Sequence, residues 1–332
     1  MSVVDELQEK MTRFSSSYFL VDLRNDREAF YNLTPDELKK SIYCFGGYVL
    51  NLIIDGELEK VNSIIDSLPD DSILKAGIII VNPTVTIRDF IKKLHYLKSI
   101  NMPIACVILT AGRPSLINGF NDFSRLGIFL ERKRDILIDD IKFLYGTDCA
   151  EQIYNLSLAE YYYSINKLVE AELLVSSTLK TFYSKNEFRF LFVALYLEAK
   201  ISFANGTLTK TESYIKEIKD KVTHVGKAEF SYNIDAAEVY LSLFNSNYEL
   251  VANWLKTDAP DEIGDFNMLD LYRYMIKIRC YIVQENYSAA VGLIERLRPF
   301  LEQGRRYMDL CELDYKLKTL NVNPYALLEL FK

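Results

Sequence analysis

Hydrophobic positions in the C-terminal half of the chain recur with two periods at once. Within a segment, apolar residues fall three, six and seven positions after an anchor, a spacing that gathers side chains on one face of an α-helix. Leu168 is followed by Ala171, Leu174 and Val175, and Leu208 by Thr211, Tyr214 and Ile215. Tyr248 is followed by Val251, Trp254 and Leu255, and Tyr287 by Ala290, Leu293 and Ile294. The anchors are 40, 40 and 39 residues apart. Just ahead of them stand Asn166, Asn205-Gly206, Asn247 and Asn286, residue types that tolerate the left-handed backbone ending a helix. The small residue at the third position lets a partner helix approach closely. The preceding segments carry the same helical period: Ile153, Leu156, Ala159 and Tyr163 form one face, Phe188, Leu191, Phe192, Leu195 and Ala199 the next, and Phe230, Ile234, Ala237 and Leu241 the one after.

A steady period near 40 residues predicts an all-α protein, a superhelical array of antiparallel helical hairpins of the tetratricopeptide-like (TPR-like) α-solenoid kind. The N-terminal half repeats the theme less cleanly. Thr34-Pro35-Asp36-Glu37 has the spacing of a capping box with proline at the first helical position, and predicts a helix running to about Ile54. Gly56 then turns the chain into Leu58, Val61, Ile64, Ile65 and Leu68, and a weaker unit follows at Ile87, Phe90, Leu94 and Leu97. The pattern breaks between Ser99 and Asp122, at Pro103, Gly112, Pro114 and Gly119. No linker or low-complexity stretch divides residues 1–332, which reads as one domain, irregular or kinked near 100–128.

Composition narrows the function. Gly (13) and Pro (8) are scarce, against the frequent turn signals of a sandwich or barrel. The net charge of -7 counts against direct nucleic-acid binding, which needs a basic face. Arg132-Lys133-Arg134 is followed by Asp135, Asp139 and Asp140 and reads as a solvated helix face. Five separated cysteines without a C-x-x-C pair fit reduced thiols in a cytoplasmic protein. The N-terminus has no signal-peptide pattern, and the apolar runs Ala76 to Val81 and Ile104 to Leu109 are far shorter than the roughly 20 residues that cross a bilayer. His95 and His224 stand far apart outside any metal-ligand spacing, so no metal site is expected. No G-x-S-x-G, P-loop or G-x-G-x-x-G motif occurs. The expectation is a recognition scaffold without cofactor or catalysis, with no membrane partner and with self-association open to it.

Three features carry candidate binding chemistry. In the loop Ala111 to Phe120, Arg113, Ser115 and Asn118 offer polar groups to an anionic or polar ligand, although the same loop can simply re-aim the superhelix. In Tyr161-Tyr162-Tyr163, consecutive helical residues point in different directions, so at most two share the core. Tyr161 and Tyr162 are the candidate groove residues, able to stack on a sugar or grip a peptide. Trp254 occupies a repeated apolar position and is expected in the core.

Between Gly112 and Leu179 the chain resembles the helical-repeat sensor region of the MalT-like, LuxR-family ATP-dependent transcriptional regulators of bacteria. The resemblance lies in Gly112-Arg113-Pro114-Ser115-Leu116, Ala159-Glu160-Tyr161-Tyr162-Tyr163 and Val169-Glu170-Ala171-Glu172-Leu173-Leu174. A shorter block from Gly56-Glu57-Leu58-Glu59 to Ser67-Leu68-Pro69-Asp70 is similar to the family's early repeat. The resemblance implies a concave face that senses a small-molecule effector or a protein partner. The P-loop module and the DNA-binding helix-turn-helix of that family have no counterpart in these residues. A sensor region of a larger regulator and a free-standing interaction module that binds a peptide or helix are both compatible with it.

Overall fold

The computed structural model describes residues 2–13, 20–82, 84, 86–100, 127–145, 148–185, 188–225, 231–244, 247–304 and 306–319. Among the described residues all regular structure is helical. The N-terminal part contains α1 (Val3–Arg13), α2 (Leu20–Asn25), α3 (Arg27–Tyr31), α4 (Pro35–Lys40), α5 (Ile42–Ile54), α6 (Leu58–Ser67), α7 (Ile73–Val81) and α8 (Ile87–Ser99). After 101–126 come α9 (Gly127–Arg132), α10 (Arg134–Tyr145), α11 (Ala150–Ser164), α12 (Leu168–Lys185), α13 (Phe188–Ala204), α14 (Leu208–Val225), α15 (Ser231–Phe244) and α16 (Tyr248–Thr257). A 3-10 turn (Met268–Asp270) leads into α17 (Leu271–Val283), α18 (Tyr287–Gln303) and α19 (Tyr307–Thr319). None of the described helices is long and apolar enough to cross a membrane.

The expected capping box forms. The Glu37 amide donates to Thr34 Oγ1 at 3.3 Å and the Thr34 amide to Glu37 Oε2 at 2.9 Å. The helix it starts does not run to Ile54, however. It breaks at Ser41, whose backbone is extended (φ -137°, ψ 117°) and whose hydroxyl accepts the Cys44 amide at 3.3 Å. Serine competes for backbone groups in this way, ending one helix while capping the next.

From α11 to α16 each helix packs on the next, α17 then packs back on α15 and is followed by α18 and α19 in turn, and α11 also touches α13. One turn design makes the hairpins. A residue two places before the anchor is left-handed: Gly56 (φ 79°), Asn166 (62°), Gly206 (74°) and Glu285 (60°). The next amide then reaches back five residues, Glu57 to Leu52 O (2.9 Å), Lys167 to Tyr162 O (2.8 Å), Thr207 to Ser202 O (2.9 Å) and Asn286 to Tyr281 O (2.8 Å). The Asn247 amide makes the same reach to Ser242 O at 3.1 Å. This is the Schellman closure, which satisfies carbonyls that a helix end leaves open. Asparagine plays a second part that the sequence pattern did not separate. Asn247 and Asn286 are not the left-handed residues; their side chains cap α16 and α18 by accepting the Leu250 and Ala289 amides, each at 3.4 Å. In the last turn Glu285 therefore adopts the left-handed backbone.

The third position after each anchor is sealed, with Val61, Ala171, Thr211, Val251 and Ala290 all buried. Trp254 is buried as expected, in a small separate cluster with Ala236, Val239, Val251, Ile276 and Cys280. Cys44, Cys149 and Cys280 are buried and Cys311 is exposed, all as free thiols.

A strap over residues 258–267 joins α16 to α17 and ties distant parts of the chain. Arg296 donates to the carbonyls of Glu262 and Gly264, Tyr274 to Asp261 O at 2.9 Å, and Lys277 to Pro260 O at 2.8 Å. Phe266 lies 4.7 Å from the Phe300 ring. On the N-terminal side, the buried Asp55 carboxylate receives Arg24, Arg27 (2.7 Å) and Tyr31 (2.5 Å). Arg27 also reaches Asp265 of the strap at 3.9 Å. The Gly56 turn thus meets the strap, and a Cβ there would stand 3.0 Å from Phe266.

Two predictions follow from this packing. Gly206 has open space around it, so Gly206→Ala carries only the left-handed penalty and should lower unfolding free energy by about 1 kcal/mol. Gly56→Ala adds crowding against Phe266 and should cost at least about 2 kcal/mol. Urea denaturation of both variants tests this, and equal losses would rule out the Gly56–Phe266 contact. The second concerns Glu198, which is fully buried in α13. Ser176 donates to its Oε1 at 2.6 Å, and its Oε2 has no hydrogen-bond partner among the described residues. Burial pushes the Glu198 carboxyl above its ordinary range. A raised carboxyl favours folding while protonated, and that contribution is lost as pH rises past the unfolded range toward the folded value. Glu198→Gln should match the parent near pH ~4 and exceed it in melting temperature near pH ~7. A constant difference across that range would contradict the assignment.

Candidate functional site

The odd-numbered helices of the C-terminal half share a face that is neither apolar core nor ordinary surface. The position eight residues before each anchor carries Glu160 on α11, Lys200 on α13, Tyr240 on α15 and Arg279 on α17. The turns repeat at the same interval, so these four side chains form a column across adjacent helices. Tyr163, Tyr196, Phe203, Phe244 and Tyr272 flank it, spaced three, four or seven residues from its members along their own helices. Glu312 and Lys316, one turn apart on α19, complete the row.

The contacts run continuously along this row. Lys200 Nζ lies 3.5 Å from Glu160 Oε1, 4.8 Å from the Tyr163 ring centre and 5.6 Å from that of Tyr196. Tyr196 donates its hydroxyl to that of Tyr272 at 2.5 Å, with the rings edge to face at 6.0 Å. The Arg279 guanidinium sits 4.4 Å over Tyr240 and donates from Nε (2.8 Å) and Nη2 (2.6 Å) to one oxygen of Glu312. Lys316 lies 3.9 Å from the same oxygen. Tyr240 continues into an aromatic shelf, 5.2 Å from both Phe203 and Phe244, which are 4.7 Å from each other. Arginine on a tyrosine face and lysine over two rings are favourable cation–π arrangements, stronger where water is thinned.

Protein surrounds these groups, yet solvent reaches them. The side chains of Lys200 and Arg279 retain 21% and 19% of their exposure. Burial nevertheless pulls the Lys200 ammonium down, with Glu160 opposing. Lys316 is pulled down by burial too, against Glu312. For Arg279 burial also works downward, but Glu312 and the Tyr240 and Tyr272 hydroxyls outweigh it and raise the guanidinium. Burial raises the phenols: Tyr163 and Tyr272 each to about 12, Tyr240 less far, and Tyr196 well above its ordinary value. At neutral pH the four tyrosines are therefore neutral hydrogen-bonding groups.

Of the residues expected to bind, Arg113, Ser115 and Asn118 lie outside the described residues. Tyr161 and Tyr162 are half-buried neighbours on α11, with ring centres 5.9 Å apart. Tyr162 turns toward α9: burial and Glu131 push its hydroxyl up, and Lys167 stands 5.1 Å over its ring. Tyr163, expected among the core residues of its face, is the member of the run that joins the inner row. Lys200, Tyr240, Tyr272, Arg279 and Glu312 went unrecognised. Their signal was present, since one repeat position reads Glu, Lys, Tyr, Arg in helices otherwise rich in aliphatic residues.

No family model matches the chain, and neither curated proteins nor solved structures provide a match.

The tyrosine pair gives a direct check on the site. Tyr196→Phe and Tyr272→Phe should each cost about 1 kcal/mol, because each leaves an enclosed hydroxyl without its mate. The double variant should cost no more than the worse single one, a coupling of about 1 kcal/mol in a double-mutant cycle. Additive losses would show that the two hydroxyls do not meet.

Proposed function

We propose that the chain is a ligand-sensing or regulatory scaffold, the sensor region of a LuxR/MalT-like transcriptional regulator, working in the cytoplasm. In this reading the TPR-like hairpins stack as an α-solenoid, and the effector binds the concave face formed by the odd-numbered helices. The observation that carries it is the column Glu160, Lys200, Tyr240 and Arg279, which repeats a polar or aromatic side chain at one register position of successive hairpins. A solenoid of near-identical units presents such columns on its inner surface, since each unit adds a small rotation to the last. Polar, charged and aromatic groups converging in a concavity are the usual make-up of a small-molecule site. The sequence resemblance to the MalT-like sensor region supports the regulatory setting.

A second reading is a free-standing interaction module that binds a peptide or helix. It is favoured by Phe244, which closes the aromatic shelf and is 55% exposed beside the exposed Tyr248. The two readings separate in one experiment. If the scaffold senses a small molecule, a low-molecular-mass metabolite extract should raise the melting temperature. Effector at about a hundred times its Kd adds about 2.7 kcal/mol to the folded state, a shift on the order of 5 °C. No shift from any extract fraction, with a stoichiometric protein captured through the Phe203–Tyr240–Phe244 shelf, would replace the sensor by the interaction module.

A further inference from the structure

We propose that the inner face takes a small oxyanion, a phosphate or carboxylate, carried on a ring that lies on the Phe203–Tyr240–Phe244 shelf. This rests on the sensor reading above and adds the chemical class of the effector. Among the described residues of the row, Lys200, Arg279 and Lys316 are donors only, and the hydroxyls of Tyr163, Tyr196, Tyr240 and Tyr272 can donate or accept, that of Tyr196 already donating to Tyr272. The acceptor-only groups are the carboxylates of Glu160 and Glu312. Neither asparagine, glutamine nor aspartate joins them among the described residues of this row, so its donor-only groups are the three cations and they outnumber the carboxylates. A neutral polyol asks for both in balance, whereas an oxyanion asks for donors alone.

Charge points the same way. Three cations face two carboxylates, so the row is formally positive within a chain of net charge -7. Glu312 does not use up Arg279. Both contacts of the guanidinium go to one carboxylate oxygen, from Nε and Nη2, and Nη1 has no hydrogen-bond partner among the described residues. That edge is available to an incoming oxygen in the fork geometry that arginine offers to phosphate and carboxylate. Tyr240 holds the guanidinium plane at 4.4 Å, so its orientation is set before anything arrives. The same Tyr240 is a member of the aromatic shelf, where its ring stands at 49° to Phe203 and 84° to Phe244, which places apolar ring faces and edges beside the charged edge. A ligand filling both positions has a ring and, next to it, an anionic group.

The test uses the full chain and four probes at constant ionic strength: phenyl phosphate, benzoate, benzyl alcohol and inorganic phosphate. Calorimetry and thermal shift should show phenyl phosphate or benzoate binding at least about tenfold more tightly than inorganic phosphate, with benzyl alcohol inactive. Whichever of phenyl phosphate and benzoate binds more tightly identifies the oxyanion as phosphate or carboxylate. Arg279→Gln should weaken the anionic ring probe roughly tenfold or more. Lys200→Met, which keeps the apolar stem over Tyr163 but not the charge, serves if loss of the Glu312 partner unfolds the first variant, and should weaken the same probe in the same direction. Equal binding of benzyl alcohol, or unchanged affinity in a folded variant, overturns the proposal. Silence from all four probes, together with stabilisation by the neutral fraction of a metabolite extract separated on an anion exchanger, overturns the oxyanion while leaving the sensor reading intact. Silence from the probes and from every fraction removes both.

Discussion

The hairpin turn is the constraint on which the rest of this molecule depends. A single left-handed residue and an amide reaching back five residues reverse the chain within three positions and send the next helix down the one before it. Because the same closure occurs at Gly56, Asn166, Gly206 and Glu285, and its five-residue reach again at Asn247, each hairpin leaves its turn with nearly the same geometry. The buried residue three places after the anchor then fixes how closely the two helices approach. Core formation follows from these two conditions more than from any single large side chain.

The row of charged and aromatic side chains is a by-product of the same regularity. When turns recur every 39 or 40 residues, equal positions of successive odd-numbered helices fall beside one another. A polar residue placed once is a local feature; placed at the same step in four units it becomes a row. Charges that would be costly alone in such an environment support each other there, Lys200 with Glu160 and Arg279 with Glu312, while the tyrosine rings bank against the cations. The strap over residues 258–267 fixes one side of this assembly by bringing the Gly56 turn against Phe266 and Phe300.

The helices and their spacing were legible because apolar periodicity and helix-end residues act locally. Leu168, Leu208, Tyr248 and Tyr287 mark four helix starts in the structure. What was not legible depends on competition between groups. Ser41 stands between Lys39-Lys40 and the apolar run from Ile42, with no Gly or Pro to mark a helix end, and its hydroxyl caps Cys44 where the helix breaks. Asn247 and Asn286 resemble Asn166 in the sequence, but their amide oxygens are better used as caps than their backbones as left-handed links. The strap has no periodicity to betray it, since carbonyls rather than side chains do most of its bonding. The polar row was obscured for another reason: Tyr163, Tyr196 and Tyr240 have the size and spacing of core residues, and only three-dimensional neighbours separate a core ring from one that packs against a cation or another hydroxyl.

Trp254 is the only tryptophan in the chain, and it lies outside the main core, in the small cluster shared by α15, α16 and α17. Its indole Nε1 is buried and has no hydrogen-bond partner among the described residues. The molecule thereby contains a fluorophore whose emission colour depends on the packing of these three helices, while 23 tyrosines are spread along the chain. Light absorbed at the red edge of the aromatic band would follow the loosening of that cluster separately from the melting of its neighbours. Local opening of one helical cluster, usually hidden inside a global signal, here carries a natural dye of its own.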